Sequence, residues 1–246
     1  MQFSIVNGQR LKASPRLIGN CPACGTPTRS KCGSIILWHW AHITTKHCDA
    51  WWENESEWHK EWKAQFQEDL QEVVQCDQST GERHIADIKT NQGLVIELQH
   101  SAISIDELRS RESFYQNMVW IVDGRSFKDR FTIFQDRLPA PYTELHRDFR
   151  LNKDGSVYRL ISTDWFGTGY SKKYEHEKYQ WLLNKSYKGH HFFEWARPRN
   201  IWFSAKKPVF LDFGTESLYE LQPYPDYYNY CVQIHSKLDF IQKHSA

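Results

Sequence analysis

Charge of one sign is scarce in this 246-residue chain: 31 Lys and Arg stand against 30 Asp and Glu, a net of +1. Bulk electrostatics therefore names no partner, and a nucleic-acid surface would need its cations gathered on one face. No stretch approaches the roughly 20 consecutive apolar residues that span a bilayer. The opening "MQFSIVNGQRLKAS" lacks the apolar core of a secretory signal. A cytoplasmic protein that contacts no membrane is the expectation. Repeats and low-complexity tracts are missing too, and with 25% charged and 15% aromatic residues the chain reads as globular. The six Cys are not spaced as in a stapled secreted domain. Cys21, Cys24, Cys32 and Cys48 crowd the first fifth, while Cys76 and Cys231 stand apart, which suits reduced thiols or a metal site.

Residues 1–50 have few periodic apolar positions and need something other than a large core. "CPACG" places Cys21 and Cys24 on one tight knuckle, and "HWAH" supplies His39 and His42 downstream. Four N/S donors of this kind make a closed, structural Zn²⁺ site that would stabilise a segment too apolar-poor to fold alone. Cys32 or Cys48 can displace one His, and a redox pair is the competing reading of C-x-x-C. Trp38 and Trp40 beside the pair suggest packing. The spacing departs from the fingers that read a major groove, so base recognition does not follow.

From 51 to about 75, Trp51, Glu55, Trp58, His59, Trp62, Phe66 and Leu70 recur at three- and four-residue spacing, and Asn54 can cap the start; an amphipathic helix is expected. "ERHIADIK" and "GLVIELQ" read as a hairpin about Thr90-Asn91-Gln92-Gly93, with an extra strand near "EVVQC". Ser104-Ile105-Asp106-Glu107 matches a capping box, predicting a helix to about 117. "MVWIVDG" follows as a strand buried on both faces. "RLPAPY" (137–142) reads as a linker or surface loop, and "PVFLDFG" (208–214) as a strand. "HEKYQ" (176–180) lacks the second His of a zinc-protease helix, and "GTGYSK" (167–172) lacks both dinucleotide and phosphate-loop spacing. Trp165, Trp181, Trp195 and Trp202 could stack bases, but packing of a β-rich region is the simpler account.

Acids inside the hairpin are the most informative feature. Alternation puts Glu97 and Gln99 on one face of their strand, and a paired "RHIADIK" brings Asp87 close to Glu97. Two such carboxylates repel unless a proton or a cation separates them. An oxygen-loving Mg²⁺ or Mn²⁺ is the simplest remedy, and it would also activate water against a phosphodiester.

The ordered set "CPACG", "HWAH", "ESEWHKEWK", "RHIADIK", "GLVIELQHSAIS" and "RESFYQNMVWIVDG" resembles competence protein CoiA and its relatives, whose core is similar to the PD-(D/E)XK nucleases. The resemblance covers about 21–124. It implies an α/β (α+β) fold: a restriction-endonuclease-like mixed sheet flanked by helices. A zinc module (1–50) would precede a nuclease core (51–130), with an aromatic, β-rich accessory region behind it (131–246). It further implies that Asp87 and Glu97 bind the divalent metal and that Glu55 enters from the preceding helix, with His59 and Lys63 one and two turns on. Gln99 takes the place of the usual lysine and can orient water or phosphate but carries no charge, a role left to Lys63 or Arg83. Ser101, Ser104, Arg109 and Arg111 would meet phosphate or merely cap and decorate the next helix. DNA is the implied partner, cut by a metal-dependent nuclease of DNA uptake, recombination or defence or, alternatively, bound by a non-cleaving accessory factor of competence or recombination.

Overall fold

The computed structural model describes the backbone of residues 1–34, 37–44, 48–49, 51, 55–151, 157–161, 169–173, 176–225 and 230–245. It is a mixed α+β protein in two compact units. The first comprises Met1–Asp123 with Ser204–Lys207 and Leu238–Ala246; the second comprises Gly124–Phe203 and Pro208–Lys237.

The first unit opens with five short strands: β1 (Phe3–Val6), β2 (Gln9–Lys12), β3 (Ile18–Asn20), β4 (Pro27–Lys31) and β5 (His39–His42). They form an antiparallel sheet in the order β2-β1-β3-β4-β5. Trp40 N–H bonds back to Met1 O at 2.9 Å, curling β5 toward the start of β1. Its interior is small: Cys21, Ala23 and Trp40 pack with Met1, and the Ser4 and Thr28 hydroxyls satisfy each other at 2.7 Å. Gly19 has no room for a side chain, since a Cβ there would lie 2.8 Å from Ile5 O.

Next come α1 (Glu57–Lys63), β6 (Gln71–Cys76), β7 (Arg83–Lys89), β8 (Val95–Gln99), α2 (Ile105–Tyr115) and β9 (Met118–Asp123), the order expected. α1 is shorter than the Trp spacing predicts. Ser56 caps it, accepting from His59 N–H while Ser56 N–H donates to His59 Nδ1; Asn54 lies outside the described residues. Trp58 and Trp62 are buried on its inner face, but Leu70 sits in a separate 3₁₀ turn, Glu68–Leu70, that leads into β6. The apolar period therefore continues through a break in the helix, since burial rather than backbone form sets the spacing.

β7 and β8 form the hairpin, with Gly93 at φ +79° and its N–H on Thr90 O. β6 pairs antiparallel with β7, while β9 lies parallel to β8 across the α2 crossover. Ser104 caps α2 through Glu107 N–H, and every residue of β9 is buried.

The second unit is β-rich. β10 (Phe131–Leu138) is followed by α3 (Glu144–Asp148), β11 (Phe149–Leu151), β12 (Val157–Ile161), β13 (Gly169–Lys173) and α4 (His176–Ser186). Then come β14 (His190–Trp195), β15 (Val209–Asp212), β16 (Ser217–Pro223), β17 (Tyr230–Ser236) and α5 (Lys237–Ser245), whose body belongs to the first unit. β10-β14-β17-β16-β15 run antiparallel, and β11-β12-β13 form a small sheet. Trp195 and Trp202 are buried here whereas Trp181 is exposed; Trp165 and the first two residues of "GTGYSK" (167–168) lie outside the described residues, and the other four open β13. "RLPAPY" is only partly a loop: Leu138 ends β10 in the core, and Pro139 O accepts the Tyr224 hydroxyl. Among the described residues no helix is long and apolar enough to cross a membrane.

Candidate functional site

Two clusters in the first unit bring chemistry-bearing residues together. The first is Cys21, Cys24, His42 and Cys48, whose donor atoms all lie within 4.8 Å of one another. Cys21 and Cys48 sulfurs are 3.6 Å apart, and Cys24 Sγ is 3.5 Å from His42 Nε2. A tetrahedral zinc with bonds near 2.3 Å separates its sulfurs by roughly 3.8 Å, so the spacing fits. Charge points the same way. Burial pushes Cys21 up, and burial with the neighbouring Cys21 pushes Cys48 up. For Cys24, burial is outweighed by hydrogen bonds involving Thr26 and His42, which bring it to about 6. Three thiols this close ionise together only around a cation.

His39 does not join them. β5 is a strand, so residues three apart face opposite ways, and an H-x-x-H pair cannot converge as it would on a helix. His39 instead turns Nδ1 to Leu37 O at 2.8 Å, and Cys48 fills the fourth place. Of the two neighbouring tryptophans, Trp40 packs in the core while Trp38 is 48% exposed.

The second cluster lines a cavity of about 320 Å³. Glu55, His59, Lys63, Asp87 and Glu97 all reach it. The β7–β8 register, Lys89 with Val95 and Ile88 with Ile96, carried one step further sets Asp87 opposite Glu97. There the side chains replace the ladder: Asp87 N–H donates to Glu97 Oε1 at 3.3 Å, and Leu98 N–H donates to Asp87 Oδ2 at 3.0 Å. On the other side, the β6–β7 pairing steps from Gln71–Ile88 to Val73–Ala86 and skips Glu72, which sits at φ +45°. Three acids thus stand in a row across three strands.

Cations close both ends of that row. Lys63 Nζ lies 2.6 Å from Glu55, 3.1 Å from Glu72 and 3.8 Å from Asp87. Burial alone would lower its pKa; Glu72, Asp87 and Glu55 raise it instead, so it stays charged. Glu72 also accepts both Gln2 and Phe3 N–H, and against its burial Lys63 holds it at about 2. Arg111 Nη1 donates to Glu97 Oε2 at 3.0 Å, and its Nη2 bonds Trp51 O and Glu107. Even so, burial and the neighbouring Asp87 push Glu97 up to about 8. Glu55 Oε2 is buried with no hydrogen-bond partner among the described residues.

Glu72 and Arg111 are the residues that sequence reasoning missed or undervalued. Arg111 is buried at the cavity and does not decorate the surface of α2; its i+4 spacing from Glu107 was the available signal. Gln99 stands outside the cavity lining, fully buried, with Nε2 toward Ser101 O at 3.3 Å. Arg83 reaches Ala23 O beside the thiol cluster. His59 spans the cavity wall, with Nδ1 at Ser56 and Nε2 at Leu98 O. Ser104 serves as a helix cap.

The family model for competence protein CoiA, N-terminal domain, matches residues 19–50, the segment that holds the thiol cluster. No curated protein and no solved structure matches the chain.

Proposed function

We propose that the cavity is the active site of a divalent-metal-dependent nuclease acting on DNA, in a restriction-endonuclease-like core of the kind found in PD-(D/E)XK enzymes. The observation that carries this reading is the meeting of Asp87 and Glu97 from adjacent strands in one cavity, with a buried, charged lysine 3.8 Å from Asp87. Helix, hairpin, crossover helix and parallel strand in that order also suit such a core. Donor chemistry fits Mg²⁺ or Mn²⁺: Asp87 and Glu97 would hold the ion, and the unpartnered Glu55 Oε2 offers a third hard oxygen. When bound, such an ion activates water and neutralises charge at phosphorus.

The chain's own residues do the rest. Lys63 remains protonated and places positive charge where the phosphoryl oxygens become more negative, the task that a lysine two places after Glu97 would otherwise perform. Arg111 keeps Glu97 on its rotamer, and Glu72 keeps Lys63 from swinging out of the cavity. His59 ties α1 to β8 through Leu98 O and so fixes the distance between Lys63 and the acids. The N-terminal Cys₃His cluster would hold structural zinc, and the match to CoiA supports a role in competence.

Incubating the purified protein with single- and double-stranded DNA and Mg²⁺ or Mn²⁺ tests the reading. Cleavage that disappears in the Asp87→Ala, Glu97→Ala double variant is expected; cleavage that persists rejects it. One observation favours a second reading, a DNA-binding accessory factor: Lys63 already pairs with three acids, and Gln99 stays out of the cavity. Salt-sensitive DNA binding without cutting under any metal would establish it.

A further inference from the structure

The near-zero net charge hides a strong asymmetry. Residues 1–48 contain six Lys and Arg and no Asp or Glu, so Asp49 is the first acid; the rest of the chain holds 25 and 30. A divalent ion on three thiolates would remove only one unit of that excess. Arg10 and Lys12 are already committed, Arg10 to the Glu68 and Gln71 carbonyls and Lys12 to the Glu68 carboxylate. Arg29 and Lys31 are exposed on β4, and among the described residues neither takes a carboxylate partner.

Alternation along β4 puts these two cations on the face opposite the buried Thr28. Arg29 lies directly across from Ala41, and Lys31 from His39. Such cross-strand neighbours sit about 5 Å apart at Cβ, and His39 and Ala41 both line the acid cavity. On its other side Arg29 faces Ile18, which is 67% exposed. The basic face of the sheet therefore runs up to the wall of the cavity. Trp38, just before β5, adds an exposed aromatic ring.

Depth decides which polyanion fits. Glu97 and Lys63 are each only 3% exposed, so a phosphate must leave the outer surface to meet them. A cavity of about 320 Å³ admits a ligand of small-molecule size. A flexible strand can turn one nucleotide into it, whereas a paired duplex would first have to melt.

We propose that the outer face of β4, through Arg29 and Lys31 with Trp38 nearby, is the docking track of a single-stranded polynucleotide whose backbone passes His39 and Ala41 into the cavity. The destination of the strand rests on the phosphodiester reading above; the binding surface itself does not.

The test uses the zinc-loaded full chain without added Mg²⁺ or Mn²⁺ and reads fluorescence anisotropy of labelled single-stranded DNA, single-stranded RNA and duplex DNA across a salt series. Arg29→Glu with Lys31→Glu should weaken single-strand binding at least tenfold and flatten the log–log salt slope by about 1.4, two phosphates at roughly 0.7 each. Trp38→Ala should weaken it about fivefold or more, and Lys128→Glu in the second unit should leave it unchanged. The milder Arg29→Gln, Lys31→Gln pair, with zinc content and melting temperature checked, covers misfolding of the reversal. The stronger of the DNA and RNA affinities identifies the strand. Unchanged affinity and slope in the Arg29 and Lys31 variants, an equal loss in Lys128→Glu, or duplex bound as tightly as single strand overturns the track. Cleavage is measured separately with Mn²⁺. Metal-dependent cutting alongside wild-type binding by the Arg29 and Lys31 variants sinks the track alone; binding lost as expected with no cutting by the wild type sinks the nuclease reading alone.

Discussion

The thiol cluster and the acid cavity sit in the same compact unit and handle crowded negative charge in opposite ways. In the first, Cys21, Cys24 and Cys48 converge with His42, and among the described residues no Lys or Arg is bonded to a thiol, so the geometry calls for an ion from outside. In the second, every acid has been given a cation of the chain: Lys63 for Glu55, Glu72 and Asp87, and Arg111 for Glu97. A cluster that cannot be neutral alone is built to keep its ion. One whose acids already share two cations of the chain is held together without an ion and can exchange what it binds.

The strongest way to break this contrast is at the thiols. Cys21→Ser, or chelation, should remove the bound zinc and unfold the five-strand module, since structural zinc is worth about 10–16 kcal/mol in comparable small sites. Metal analysis and thermal melting check this, and His39→Ala should retain the zinc. At the acids the expected loss is smaller. Lys63→Met leaves three carboxylates facing one another and should cost about 3–5 kcal/mol in urea unfolding; a cost near zero would show that the row is not held by this lysine. Glu72→Gln keeps the shape but weakens the hydrogen bonds from Lys63, Gln2 and Phe3, and should cost about 1.5–3 kcal/mol. The smallest effect concerns His84 of β7, which stacks on Trp51 and bonds Asp49 and Glu82 at 2.8 Å each. Burial lowers the His84 pKa, but those two carboxylates win and raise it. Its contribution is therefore complete below the unfolded value near 6.5 and fades as pH rises through the higher folded value. The stability gap between wild type and His84→Gln should be wider at pH 6 than at pH 9, and an equal gap would show the pairs to be inert.

Much of this arrangement was readable in advance because it depends on short-range rules. The alternation that puts Glu97 on one face, the turn at Gly93 and the Ser104 cap need only neighbouring residues. Asp87 and Glu97 stood out as acids in apolar strands, where desolvation demands a partner. What failed needed longer-range knowledge. His39 looked like a ligand only while the backbone form of "HWAH" was left out of account; once β5 is a strand, parity turns it away from His42 and leaves the fourth place to Cys48, six residues beyond His42. The break after Lys63 was hidden because Phe66 and Leu70 are buried in any case. Glu72 gave no local sign of its role, which exists only because β6 pairs with β7, and Arg111 gave only its i+4 spacing from Glu107.

The skipped rungs beside Asp87 have a kinetic corollary. The amides of Asp87 and Leu98 rest on carboxylate oxygens that a captured ion would claim, so loading the pocket strips two N–H groups of their acceptors. Deuterium uptake at those two positions should quicken when Mn²⁺ is added while Ile88 and Ile96 stay slow, a readout of occupancy that requires neither substrate nor turnover.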